Sequence, residues 1–184
     1  PLSPGHPNIC VSYWEYDARG RLTSEVKTVT GVGSFKTTWG YNSADLLSWI
    51  KYPANASGGE GETVTSTYLP QMAINALSGT SQYVQSTQYD AAGRLMLRVL
   101  GANTLRTTQS YFAWDAANGQ GRIRLLRTGT STNPISLQNL EYRYDAVGNI
   151  ETIQDWKASA QVHDFSYDSL YRLIGAEARG GTDG

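Results

Sequence analysis

A short signature returns along this chain at quasi-regular intervals, and few folds can accommodate such a repeat. Its cleanest form is Tyr89-Asp90-Ala91-Ala92-Gly93-Arg94-Leu95. It recurs as Tyr16-Asp17-Ala18-Arg19-Gly20-Arg21-Leu22 and as Tyr144-Asp145-Ala146-Val147-Gly148-Asn149-Ile150. Looser copies open at Tyr41-Asn42 and at Tyr167-Asp168. Trp114-Asp115 begins another, which resumes at Gly121-Arg122-Ile123, and Tyr68 stands where a further copy falls with its turn residues replaced. The aromatic starts lie at 16, 41, 68, 89, 114, 144 and 167, spaced 21 to 30 residues apart. A fixed period of this length marks an array of supersecondary units, each stabilised mainly by its neighbours.

Each unit carries its own folding instructions. Apolar and aromatic residues alternate before the turn (Trp14 and Tyr16; Leu140, Tyr142 and Tyr144; Phe165 and Tyr167) and again after it (Leu47 and Trp49; Leu95, Leu97 and Val99). A period of two means strands, with each set on one face. Between them, Asp-x-x-Gly puts a carboxylate where it can accept backbone N–H groups and a glycine where a left-handed residue is needed. Asp17, Gly20, Asp90, Gly93, Asp115, Asp145, Gly148 and Asp168 are therefore read as turn residues. Tyr16, Tyr41, Tyr89, Trp114, Tyr144 and Tyr167 are read as a ladder of stacked rings across neighbouring strands. The expected fold is all-β: about seven hairpins in one twisted antiparallel sheet, a partial shell or solenoid-like spiral. The array fills residues 1–184, with 1–12 as a lead-in. The longest polar linker, Pro53 to Glu62, reads as a loop at the far end of a hairpin.

Composition supports this reading. With 12 Tyr and 5 Trp against 3 Phe and 2 Met, the aromatic area comes from residues with a polar tip, which suit half-wet surfaces. A net charge of −1 with dispersed arginines argues against a nucleic-acid partner. The single cysteine, Cys10, permits no internal disulfide. No apolar run approaches the roughly 18 residues of a membrane-spanning helix. The chain opens on Pro1 without a methionine or a signal-like segment, which suggests a piece of something longer.

The unit Y-D-x-x-G-R-L, recurring from about Trp14 to Ile174, resembles the YD repeat of the Rhs (rearrangement hot spot) proteins. That repeat is shared by the C components of insecticidal toxin complexes and by the teneurins. The resemblance implies hairpins that spiral into a hollow β-shell, enclosing a toxin polypeptide in the bacterial proteins or supporting adhesion modules in the teneurins. The family's Asp-Pro-x-Gly-rich core end, which carries a self-cleavage site, has no counterpart before Gly184, so no autoprotease carries over. Seven units are too few to close such a shell, and two edge strands are expected to stay open.

Catalytic readings fare poorly on the residues. The recurrent aspartates occur one per turn, where capping explains them, and they form no close carboxylate pair of the kind acid–base catalysis uses. His6 and His163 with one cysteine make no zinc constellation. His163 and Asp164 are adjacent in a strand and point to opposite faces, which defeats a triad. The expected function is a non-catalytic, cofactor-free shell segment of a secreted or surface-exposed bacterial protein, scaffolding or enclosing a partner polypeptide. The alternatives are a self-assembling extracellular fibre joined through edge strands and a carbohydrate-binding or adhesion module. Trp39, Trp49 and Trp156 lie off the repeat position and are the candidates for contact with a partner or glycan.

Overall fold

In the computed structural model, which describes residues 10–54, 60–157 and 160–180, every regular element is a β-strand. The chain divides into two compact units, one up to Tyr83 and the other from Val84. The first holds β1 (Cys10–Tyr16), β2 (Leu22–Val29), β3 (Gly33–Tyr41), β4 (Leu47–Pro53), β5 (Glu60–Tyr68) and β6 (Ile74–Ser78). At the division runs β7 (Gln82–Tyr89), followed by β8 (Leu95–Leu100), β9 (Leu105–Tyr111) and β10 (Ile123–Gly129). The last four are β11 (Gln138–Tyr144), β12 (Ile150–Asp155), β13 (Gln161–Tyr167) and β14 (Leu173–Arg179). The 14 strands form one open antiparallel sheet whose spatial order is the order of the sequence.

Local chemistry explains this meander. Each odd-numbered strand ends on a tyrosine and each even-numbered strand from β2 to β14 starts on Leu or Ile, with a short turn between them everywhere except between β9 and β10. Tyr16 faces Leu22, Tyr41 faces Leu47, Tyr89 faces Leu95 and Tyr144 faces Ile150. The register shifts immediately beside every one of these pairs. This recurrent bulge corrects the expected alternation after the turn. Leu95 shares a face with Tyr89, whereas Leu97 lies opposite Gln88 and so points to the other side. Trp49 is likewise turned away from Leu47, because it pairs with Gly40.

Two further expectations change in detail. Cys10 to Ser12, read as part of a lead-in, belong to β1. The Pro53 to Glu62 linker is shorter than its composition suggests, since β4 ends at Pro53 and β5 starts at Glu60. Residues 55–59, with the Asn55-Ala56-Ser57 sequon, lie outside the described residues.

Among the described residues only Val84, Val99 and Tyr144 are buried hydrophobics, and no large side chain is completely buried. The sheet is therefore held by its backbone ladder and by cross-strand pairs, each contributing roughly 0.2–1 kcal/mol. In the second unit, Leu126, Leu140, Tyr142, Ile153 and Phe165 share one face of β10 to β13 with Asp155 and His163, while Arg127, Asn139, Glu141, Arg143, Thr152, Gln154 and Asp164 point to the other.

Candidate functional site

The recurring feature of this protein is the joint where one hairpin meets the next. In the hairpin turn, the Asp90 Oδ1 atom accepts the amides of Ala92 and Arg94, both at 2.9 Å, and Oδ2 accepts Arg94 Nε at 2.7 Å. The backbone closes the same loop, with Asp90 N donating to Arg94 O at 2.9 Å and Gly93 N to Asp90 O at 3.0 Å. Asp17 and Asp168 repeat the arrangement with Arg21 and Arg172. Asp145 uses Asn149 in place of arginine, and Asn42 substitutes for aspartate by accepting Ala44 N and Leu46 N.

These contacts hold the carboxyls below their ordinary range. For Asp17 the main cause is the Arg21 side chain, and for Asp90 and Asp168 it is the backbone amides of Arg94 and Arg172. In Asp145 desolvation pushes upward, but the bonds from Asn149, Gly148 and Val147 outweigh it. A carboxyl with a depressed pKa stabilises the fold above its unfolded value, and that contribution disappears as pH falls through the folded value. The turns are thus built on the ionised aspartates.

The fourth turn residue adopts a left-handed conformation throughout: φ is 77° at Gly20 and at Gly93, 97° at Gly148, 63° at Asp45, 64° at Met72 and 61° at Tyr171. A non-glycine side chain costs roughly 1–2 kcal/mol there, and aspartate tolerates the position better than methionine. Met72, exposed and without a side-chain anchor in its turn, is the clearest misfit. Met72→Gly should raise the urea midpoint by the equivalent of about 1 kcal/mol, whereas Gly93→Ala should lower it by a similar amount.

The tyrosine does something that stacking does not describe. Tyr41 Oη donates to Leu22 O at 2.9 Å, Tyr68 to Leu47 O at 2.7 Å, Tyr144 to Ile123 O at 2.9 Å and Tyr167 to Ile150 O at 3.0 Å. Tyr111 reaches Leu95 O at 2.7 Å in the same way. Each hydroxyl crosses to the first residue of the strand that follows the preceding turn, and so fastens one hairpin to the one before it. Burial holds the Tyr144 and Tyr111 phenols above their ordinary value. Phe112 meets Tyr144 edge to face at 6.1 Å and 82°. Of the six residues read as a stacking ladder, Tyr41, Tyr144 and Tyr167 make this hydroxyl-to-carbonyl fastening.

The arginine of the signature completes the joint. The Arg21 guanidinium lies 4.7 Å from the Tyr41 ring centre, Arg94 lies 4.2 Å from that of Tyr111 and Arg122 lies 5.7 Å from that of Tyr144. Such contacts are worth roughly 0.5–2 kcal/mol. Sequence reasoning did not give this arginine a role, although its recurrence at 21, 94, 122 and 172, one residue before the first apolar position, was visible.

The fifth unit departs most from expectation. Tyr111, not Trp114, ends β9 opposite Ile123, and Phe112 N donates to Arg122 O at 2.9 Å, the bond Asp90 N makes elsewhere. Trp114 and Asp115 lie within an enlarged turn, where the Trp114 ring rests 4.7 Å from the Arg94 guanidinium. The two candidate contact tryptophans of the first unit point to opposite faces. Trp39 shares the face of Tyr41, while Trp49 covers Gly40 so closely that a β-carbon there would stand 2.2 Å from the indole. In the second unit Trp156 is exposed and donates from Nε1 to Glu141 at 3.2 Å.

Phe112, Asn118, Arg124, Glu141, Arg143, Tyr144 and Glu151 line an open depression of about 290 Å³. No three His, Cys, Asp or Glu side chains gather to hold a metal ion among the described residues. No described helix is long and apolar enough to cross a membrane.

No protein-family model matches the chain, and no curated protein matches it by sequence. Solved structures do match in fold. The crystal structure of TcdB2-TccC3-Cdc42 superposes with a TM-score of 0.71 at 20% identity over 92% of this chain. TcdB2-TccC3 without its hypervariable C-terminal region gives 0.72 at 20% identity over 92%. The Photorhabdus luminescens Tc holotoxin pore with the TccC3-D651A mutation gives 0.70 at 20% over 92%. The chain spans 9% of the length of each of these matched chains.

Proposed function

We propose that this chain is a non-catalytic wall segment of a toxin-associated YD-hairpin shell, working in a secreted bacterial assembly and presenting its apolar face to an enclosed or scaffolded polypeptide. The observation that carries the reading is a sheet with almost no buried core among the described residues: Leu126, Leu140, Tyr142, Ile153 and Phe165 gather on one face and none of them is buried. Such a face, with no second layer among the described residues, calls for a partner. The fold likeness to segments of Tc toxin chains supports the toxin association. Asp17, Asp90, Asp145 and Asp168, each engaged by two or more donors in its own turn, support a structural role over acid–base chemistry. A glycan-binding reading gains nothing from Trp39 and Trp49, which lie on opposite faces.

The test uses reduced, carboxymethylated α-lactalbumin as an unfolded client, titrated by fluorescence anisotropy. Saturable binding is expected, and Ile153→Ser or Phe165→Ser should weaken it roughly tenfold, the worth of one buried apolar side chain. Variants that fold normally yet bind equally well, or a wild-type chain that does not bind, would overturn the reading.

A further inference from the structure

The enlarged turn of the fifth unit sets an asparagine directly before a glycine that the fold cannot replace. Gly119 has a φ of 87°, and the Phe112 ring rests where its side chain would be, so that a β-carbon there would stand 2.5 Å from Phe112 Cδ2. The Gly119 carbonyl accepts Arg122 N at 2.6 Å, which helps to close the turn. Asn118 is exposed and lines the open depression beside Arg124 and Arg143. Among the described residues, neither the Asn118 carboxamide nor the Gly119 N–H has a hydrogen-bond partner.

Four other asparagines are held. Asn42 Oδ1 accepts Ala44 N at 2.9 Å and Leu46 N at 3.0 Å. Asn103 Oδ1 accepts from the Arg106 guanidinium, and Asn139 Oδ1 accepts Arg127 Nε at 3.0 Å. Asn149 Nδ2 donates to Asp145 at 2.8 Å. The residues that follow them, Ser43, Thr104, Leu140 and Ile150, all carry side chains that crowd the main-chain nitrogen.

We propose that Asn118-Gly119 is a self-modifying site, where the chain exchanges an amide for a carboxylate with water as the only co-reactant. The Gly119 nitrogen attacks Asn118 Cγ and closes a five-membered succinimide. The Cγ–Nδ2 bond breaks, and the proton from Gly119 N leaves with Nδ2 as ammonia. Water then opens the ring in one of two ways. Addition at Cγ restores the ordinary main chain with aspartate at 118. Addition at the Asn118 main-chain carbonyl breaks its bond to Gly119 N and leaves an isoaspartyl link, in which the main chain runs through Cβ and Cγ. Glycine favours the first step because no side chain obstructs the approach of Cγ.

Both products alter the joint. The aspartyl form brings a carboxylate to a rim where, among the described residues, neither Arg124 nor Arg143 has an ion-pair partner, although Glu141 and Glu151 line the same depression. The isoaspartyl form adds one main-chain atom, which displaces Gly119 from Arg122 N and from the Phe112 ring. That ring stands edge to face on Tyr144, so the fifth joint loosens as the protein ages.

The test ages the full chain at mildly alkaline pH, folded and in urea, and maps its peptides by mass. In the folded chain the Asn118 peptide should gain the mass difference between an amide and an acid. It should also split into aspartyl and isoaspartyl forms, the second a substrate for an isoaspartate-specific methyltransferase. Asn42, Asn103 and Asn149 should react roughly tenfold more slowly or less, because each must first break the hydrogen bonds that hold it. Asn118→Gln, whose longer side chain requires a six-membered ring, should keep the peptide unchanged. The aged parent, but not the aged variant, should show a lower urea midpoint and new cleavage within residues 113–122. Three results would each overturn the inference: Asn118 intact while other asparagines convert, conversion seen only in urea, or an isoaspartyl fraction that unfolds and is cleaved like the fresh chain.

Discussion

Replacing Tyr144 by alanine should destabilise the chain by about 3–5 kcal/mol in urea denaturation, the range for truncating a large buried aromatic side chain. Tyr144 is the one repeat tyrosine whose side chain is buried, at 8% exposure. It combines the three contacts that define the joint. Its hydroxyl donates to Ile123 O at 2.9 Å, its ring meets Phe112 edge to face, and Arg122 lies over it. Tyr144→Phe keeps the ring and removes only the donor, leaving a half-buried carbonyl short of one partner, so it should cost about 1–2 kcal/mol. The exposed Tyr13→Ala serves as a control and should stay within roughly 0.5 kcal/mol of the parent. Equal, small effects at 13 and 144 would mean that the tyrosines are decorative and that the backbone ladder alone holds the array.

Gly129→Ala should be nearly as damaging, at about 2–3 kcal/mol, for a different reason. Gly129 ends β10 where the chain turns back over it. A β-carbon there would stand 2.2 Å from the Asn133 carbonyl oxygen, 2.6 Å from the Pro134 carbonyl carbon and 2.7 Å from Ser136 N. All three are backbone atoms, so no rotamer change can relieve the clash. The turn itself is tied by Thr130 N to Asn133 O at 2.9 Å, Ser136 N to Asn133 O at 3.2 Å and Leu137 N to Thr128 O at 2.9 Å. Gly20→Ala makes a useful contrast. Nothing lies within 4 Å of a β-carbon at Gly20, and only its φ of 77° opposes the change. Gly129→Ala should therefore both lower the urea midpoint and open residues 130–136 to limited proteolysis, while Gly20→Ala should do only the former.

Much of this architecture is legible in the residues because the information is local. Asp90 and Gly93 specify their turn within five residues, and Tyr89 and Leu95 mark its two strand ends. What escaped the sequence is what depends on contact between turns. The bulge beside each Tyr–Leu pair inverts the facing of every residue after it, so Leu95 and Leu97 look alike in sequence but lie on opposite faces. The role of the tyrosine hydroxyl could not be read from spacing, because its acceptor is a backbone carbonyl 16 to 21 residues away. Trp114-Asp115 shows the opposite error. It matches the signature better than Tyr111-Phe112, yet the register of β9 against β10 selects Tyr111. The tertiary joint, not the motif, decides which aromatic residue ends the strand.

The tyrosine joints fasten the hairpins in one repeated register. Cross-strand Hα–Hα contacts in a nuclear Overhauser spectrum of the intact chain read that register out. Contacts are expected within the registers that pair Leu97 with Thr108, Leu125 with Glu141 and Thr152 with Asp164, at those pairs or at the next pair along the same register, such as Arg98 with Thr107. A register slipped by one residue at any of these joints, such as Leu97 with Thr107, would contradict that fastening, because the tyrosine hydroxyl and its carbonyl would then lie on opposite faces of the sheet.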